Sequence, residues 1–357
     1  MAGAPQYREA NFQSTDYSGR PAGQAYIRGD GVAATCCVHL LSRAGWRLDV
    51  EQTCRPRLPG LLLSENALAL IRDVFGGTHL FETAHRIRRR IVAWGPNAKP
   101  VTLNHSAVVV SEDALLEILR ARSAPDLDGA RAQQPSHWTI FASHPLPHAA
   151  TEQAFGSRFA FAGSVTLTST SDREACWIES LVNGWLFLIS GPEGRAFLLS
   201  VGDTPANLLG RSNLVVRQIE EMIEPSSRFP AHPRIASPLC GPNWLACGSA
   251  AMAFDPICGD GTAHAVREAI LAAAVIRASA AANQDIAQFL SHYESRLTAG
   301  FRRHLSMCRH FYQSGACGSW WDSELEALES GIAWCDQRLR NSDFSYRLCG
   351  FDLQRIQ

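Results

Sequence analysis

A short glycine-rich turn, Gly29-Asp30-Gly31-Val32-Ala33-Ala34, constrains this 357-residue chain more than any other feature. Gln24–Arg28, just before it, has the make-up of a short strand. After it, Cys36, Cys37, Leu40, Leu41 and Ala44 recur at helical spacing, and Gly45 supplies a stop. Trp46–Glu51 then alternates like a second strand. Strand, tight turn, helix and strand within about 30 residues make a βαβ unit, the opening of a parallel α/β sheet.

The spacing inside that unit suits a dinucleotide. Gly29 makes the turn, Gly31 lets backbone approach a pyrophosphate, and Ala34 is small enough for helix and strand to pack. Glu51 lies 20 positions beyond Gly31 and would take the ribose hydroxyls. Asp30 is unusual, because an anion there repels a pyrophosphate unless it points outward. Arg55-Pro56-Arg57-Leu58-Pro59-Gly60 places two cations where an adenine nucleotide would lie.

A second glycine cluster lies far away in sequence. Gly248-Ser249-Ala250-Ala251 is followed by Phe254-Asp255-Pro256-Ile257-Cys258-Gly259-Asp260-Gly261-Thr262 and the helical run Ala263–Ala282. Pro256 stiffens the turn and Thr262 is placed to cap the helix. A helix start of this kind offers unpaired N–H groups and a positive dipole end to an anion or an electron-rich ring.

Several function classes drop out on composition. Net charge is −1 with a pI near 6.9, so no global field favours nucleic acid or an anionic membrane. The most apolar run, Ala263–Ala282, carries Arg267, Glu268 and Arg277 and reads as a core helix rather than a span. Eleven cysteines without CxxC spacing, and a polar N-terminus with no signal pattern, point to a reduced cytoplasmic setting.

Residues 1–24 read as a loose arm and 123–136 as a polar linker or turn. Ser64–Val74 and the stretch from Ser111 through Leu119 read as helices, and Arg86–Arg90 as a solvated basic face. From Phe159 the texture is β: Phe159–Thr168, Cys176–Val182, Gly184–Ser190 and Arg195–Val201, separated by turn signals. Leu208–Ile223 reads as a helix, Leu245–Cys247 as a short strand, and residues 285–357 as mainly helical. Trp320, Trp321 and Trp334 are placed to pack those helices together.

The GxGxxA turn, the acid on the second strand, the mid-chain sheet and the DPxxGxG turn at Asp255–Gly261 occur in this order in one superfamily. The chain resembles the FAD-dependent aromatic hydroxylases and the flavin-dependent tryptophan halogenase-like proteins, from about residue 24 to residue 280. That resemblance implies an α/β fold: a Rossmann-like FAD-binding domain (25–150 and 235–282) with an inserted antiparallel-sheet substrate domain (151–234) and a helical C-terminal segment (283–357). It implies FAD, with Gly29, Gly31, Ala34, Glu51 and Arg57 on its adenosine and pyrophosphate. Ser249 would reach a ribityl hydroxyl, and Asp255, Pro256, Gly259, Gly261 and Thr262 would line the isoalloxazine.

The departures from the family pattern narrow the activity. Gly248-Ser249-Ala250-Ala251 stands where the family writes Gly-Asp-Ala-Ala, and the mid-chain Asp-Ala-Ser/Thr-Gly-Arg appears only as Phe141-Ala142-Ser143-His144-Pro145. The Asp-Gly signature of NADPH use is missing, which implies a separate flavin reductase or free reduced flavin. Halogenases of the family need a lysine after the second strand; here the sole lysine is Lys99, and Asn183–Ser190 replaces their tryptophan-rich motif. Halogenation is not expected. The chain is also similar to the small flavoproteins that mature tryptophylquinone amine oxidases, which act on a tryptophan of a partner protein.

The implied activity is aromatic hydroxylation through a flavin C4a-hydroperoxide, on a small aromatic molecule or a partner's tryptophan. His264, beside the second turn, is the first candidate for the base that draws the phenol or indole proton, with His144 and His148 behind it. The alternative is an assembly factor that keeps the fold and binds flavin weakly or not at all, which Asp30 and Ser249 motivate. His304, Cys308 and His310 suggest a metal, but only the i, i+4 pair shares a helix face and no third ligand is evident, so no metal site is expected. Cys258 reads as a small buried hydrophobe with redox activity as its rival.

Overall fold

The computed structural model describes residues 22–53, 55–123, 138–223, 227–281, 286–340, 342 and 344–356. Nearly all of the expected N-terminal arm and of the 123–136 linker therefore lies outside the described residues.

The chain opens with β1 (Gly23–Arg28), α1 (Val32–Arg43) and β2 (Trp46–Glu51), the βαβ unit read from sequence. Then follow β3 (Leu61–Ser64), α2 (Glu65–Phe75), β4 (His85–Ala93), β5 (Val101–Val110) and α3 (Glu112–Arg122). Ser64 and Ser111 cap α2 and α3, their hydroxyls accepting the amides of Ala67 and Ala114. β6 (Trp138–Phe141) and β7 (Thr151–Ala154) lead to the strand-rich centre. That centre holds β8 (Phe159–Leu167), β9 (Ala175–Leu181), β10 (Gly184–Ser190), β11 (Arg195–Val201), the short α4 (Pro205–Leu209), β12 (Ile219–Met222) and β13 (Ser227–Pro230). The chain returns through β14 (Arg234–Ser237), β15 (Cys240–Gly241), β16 (Trp244–Ala246) and β17 (Met252–Ala253). It ends with α5 (Gly261–Ala281), α6 (Ile286–Gln313), α7 (Ser319–Leu339) and a hairpin of β18 (Tyr346–Cys349) and β19 (Asp352–Arg355).

Two sheets do most of the positioning. The smaller runs β15-β16-β6-β1-β2, with β2, β1, β6 and β16 parallel, and α1 and α5 pack against each other beside it. Parallel order brings the C-terminal ends of β1, β6 and β16 to one edge, where ligands of open α/β sheets bind. The larger sheet has nine strands in the order β12-β8-β11-β10-β9-β4-β5-β3, with β13 also on β8. It is antiparallel except where β4 runs parallel to β9.

Three strands of that larger sheet, β3, β4 and β5, come from residues before 150, so the sheet is not confined to 151–234. Arg86–Arg90 is part of β4, where arginines alternate with buried Ile87 on a pleated strand.

One expected helix is absent. Leu208–Ile223 forms the end of α4, a turn, a 3-10 segment and β12 instead. The buried Glu179 carboxylate accepts hydrogen bonds from the Ser212 hydroxyl and the amides of Asn213, Leu214 and Val215. A tertiary acceptor thus takes the amides that a helix would have paired with its own carbonyls.

The C-terminal helices pack against the larger sheet through aromatic rings. Trp321 is 1% exposed, donates its indole N–H to the Leu181 carbonyl at 2.9 Å, and meets Tyr312, Trp320 and Trp94. Trp334 packs on Phe155. No helix among the described residues is long and apolar enough to cross a membrane.

Candidate functional site

The two glycine turns meet. A cavity of about 280 Å³ is lined by Asp30, Gly31, Val32 and Ala33 from the first turn and by Gly248, Ser249, Gly261 and Thr262 from the second. Close packing holds the turns in place. Gly248 adopts φ +58, and a Cβ there would fall 2.7 Å from the Ala33 side chain. Gly29 adopts φ +136, a region closed to other residues, and lies against Ala142 at the end of β6. Gly31 has ordinary extended backbone, and its missing side chain would point into the cavity with only the tip of Arg55 within 4 Å. No side chain caps α1, so its first amides are left facing this space.

Asp30 does not face that space with a free charge. Its carboxylate pairs with Arg57 and takes a 3.4 Å hydrogen bond from Thr53, which answers the expected repulsion. Arg57 is occupied by this contact and by Glu112 and Asp113 at 3.6 Å. The cation that lines the cavity is Arg55, held by Glu112. Arg57, the arginine expected on the cofactor, does not line this cavity, and nothing local in the loop distinguishes it from Arg55.

Glu51 does not line the cavity. It closes the end of β2, accepting from the Tyr26 hydroxyl and pairing with Arg28 at 3.4 Å. Ala34 is 2% exposed and packs in the core. Ser249 does line the cavity, and its hydroxyl donates to the Ala142 carbonyl at 3.2 Å.

A second cavity of about 280 Å³ adjoins the first, sharing Leu58, Leu61, Phe254, Gly261 and Thr262 with it. Its floor is the larger sheet, with Phe187, Ile189, Phe197 and Leu199, and its wall is the Asp255–Thr262 turn with His264. Pro256, Gly259, Gly261 and Thr262 all face it. α5 begins at Gly261, so Thr262 lies inside the first turn rather than capping it. Asp255 is 1% exposed, and its carboxylate accepts from the Ile257 amide and the Tyr312 hydroxyl while lying 2.7 Å from Arg158 Nε. It lines the same cavity and fixes the turn.

His264 stacks on Phe254 with ring centroids 4.1 Å apart. Burial, reinforced by His304, pulls its imidazole down to about 4, so the ring is neutral near pH 7. His144 lies 3.5 Å from Glu152, and neither it nor His148 lines these cavities. Cys258 lines the second cavity, and its thiol is pulled down to about 6, chiefly by a hydrogen bond with Cys308. Lys99, exposed in the β4–β5 loop, lines neither cavity.

Glu268 was not anticipated. It is fully buried on α5 beside the first cavity and accepts the Gly248 amide at 2.7 Å. Burial pushes its carboxyl up to about 8, against an ordinary 4.5. Below 4.5 both states hold the proton; between 4.5 and 8 the folded chain holds it and the unfolded chain has lost it. Stability from this group therefore falls as pH rises through 8. Glu268→Gln is expected to flatten that decline, and denaturant titrations of both proteins at pH 5 and above pH 8 would check it. Parallel pH curves for the two would contradict the assignment.

The fold is similar to the folds of solved flavin-dependent halogenases and monooxygenases. No protein-family model and no curated protein matches the sequence. Among solved structures, the chain is similar to the peptidyl tryptophan dihydroxylase QhpG, essential for tryptophylquinone cofactor biogenesis, at 19% identity and TM-score 0.69. The match covers 85% of this chain and 78% of that one. It is also similar to the flavin-dependent halogenase CmlS, at 13% identity and TM-score 0.72 over 87% of this chain and 70% of that one. HpxO of Klebsiella pneumoniae, complexed with FAD and uric acid, matches at 15% identity and TM-score 0.61, covering 89% and 97%.

Proposed function

We propose that the protein is an FAD-dependent monooxygenase that hydroxylates an aromatic substrate. The observation that carries this reading is the shared cavity of the two glycine turns, opening onto an apolar chamber floored by the large sheet. The residues fit the cofactor: Gly31 and Gly261 leave space that side chains would fill, and α1 presents uncapped amides where a pyrophosphate would lie. Gly31, Ser249 and Arg55 would hold the nucleotide end, with Gly29 and Ala34 shaping the turn. Pro256, Gly259, Gly261 and Thr262 would border the ring. Reduced FAD, when bound, would supply the two electrons that activate O2, one atom of which goes to an electron-rich arene and the other to water.

This chain's own residues do the rest. Phe187, Ile189, Phe197 and Phe229 line the chamber with apolar surface, which excludes water from the reacting atoms. The positive end of α5 starts at Gly261 and favours negative charge beside it. His264 is neutral and lines the chamber, so it would accept a hydrogen bond from a phenol or indole N–H and orient the ring rather than act as a strong base. The likeness to QhpG, a peptidyl tryptophan dihydroxylase, supports a tryptophan of a partner protein as substrate, with a small aromatic molecule as the other option. A separate reductase, or free reduced flavin, would supply electrons. The single lysine lies outside both cavities, so halogenation is not proposed.

The test is reconstitution of the purified protein with FAD, followed by chemical reduction and exposure to O2 with a tryptophan-bearing peptide. Retained flavin and a peptide heavier by oxygen atoms are expected. A colourless protein that takes up no FAD would leave the assembly-factor reading in its place.

A further inference from the structure

Cys258, His304 and Cys308 meet behind the Asp255–Thr262 turn, with their ligand atoms all within 4.8 Å of one another. Cys258 sits on the 3-10 turn Pro256–Cys258; His304 and Cys308 lie one helical turn apart on α6. The two sulfurs are 3.7 Å apart, and His304 Nε2 is 3.3 Å from Cys308 Sγ. On a tetrahedral ion with bonds of about 2.3 Å to sulfur and 2.0 Å to nitrogen, those edges measure roughly 3.8 and 3.5 Å. A disulfide would need the sulfurs at about 2.05 Å.

We propose that Cys258, His304 and Cys308 form a binding site for one thiophilic divalent cation, zinc(II), with its fourth position open to the apolar chamber. Both Cys258 and His304 line that chamber. Two thiolates and an imidazole select zinc over the oxygen-seeking magnesium and calcium. The neighbouring Arg158, Asp255 and Glu324 set one positive charge against two negative, so the surroundings do not repel a cation. Phe254 stands edge-on to His304 at 4.8 Å and holds its ring. Without the ion, Nε2 accepts the Asp255 amide at 2.9 Å. Coordination takes over that lone pair and ties the turn to α6 through metal bonds instead. The site stands on these three side chains alone and is independent of whether the chain binds flavin.

The experiment titrates zinc(II) into the thiol-reduced, chelator-treated full chain against a chromophoric competitor. One equivalent bound at micromolar affinity or tighter is expected, with a rise in the thermal midpoint. Affinity should weaken more than about tenfold in Cys258→Ser and in His304→Ala. It should be unchanged in Cys317→Ser, which alters an exposed cysteine elsewhere. Cadmium NMR of the unmutated protein counts ligands should a variant fail to fold, and a two-sulfur, one-nitrogen signature is expected. No zinc uptake by the reduced chain, undiminished uptake by Cys258→Ser, a cadmium signal without sulfur, or a Cys258–Cys308 disulfide in the reduced and refolded protein would each overturn the site.

Discussion

Replacing Arg158 with methionine is expected to destabilise the protein by about 3–5 kcal/mol, the largest single loss foreseen here. Its side chain is fully buried just ahead of β8, 2.7 Å from Asp255 and paired with Glu324, and its guanidinium lies 4.7 Å over the Tyr312 ring. Removing the cation strands two carboxylates in the interior. Those carboxylates are themselves structural: Asp255 caps the 3-10 turn at Pro256–Cys258, and Glu324 accepts the Ser157 amide. The loss should therefore extend to the turn that borders the proposed flavin ring. Arg302→Ala is the control, since its partner Asp336 is half-exposed and solvent screens the pair, so its loss should be small. Urea denaturation of both variants decides the matter, and equal small losses would contradict the buried cluster.

Gly31→Val should leave the fold intact and remove the cofactor. The Gly31 backbone, at φ −83 and ψ −172, suits any residue, and the nearest atom to an added Cβ is the flexible Arg55 tip at 3.4 Å. The cost to folding is expected to be within about 1 kcal/mol. The branched side chain would occupy the cavity proposed for the pyrophosphate, weakening FAD at least about 100-fold, or about 2.7 kcal/mol. Equilibrium titration by flavin fluorescence measures that, with circular dichroism to verify folding. Undiminished FAD affinity in a folded variant would remove the cofactor from this cavity.

Much of the framework was legible because it is local. Alternation marked β2, strand texture between turn signals marked β8, β9, β10 and β11, the spacing of Leu68, Ile71 and Val74 marked α2, the Ser111 cap marked α3, and the turn glycines marked both cavity walls. Local signals fail where a distant group intervenes. Leu208–Ile223 has helical spacing, yet Glu179, some 30 residues earlier, captures its amides. Arg55 and Arg57 sit in one exposed loop, and only the position of Asp30 and Glu112 in space decides which of them reaches the cavity.

By itself the amino-acid order determined that two glycine turns exist, which helices follow them, and that the chain has a βαβ start. Those properties depend on backbone freedom, capping and periodicity, all set within a few residues. Tertiary structure alone decided that the turns share one cavity, that Asp255 is buried against Arg158, and that Cys258 joins His304 and Cys308. Each of these needs side chains from separate elements to meet, and the contacts are set by sheet order and helix packing rather than by any local run of residues.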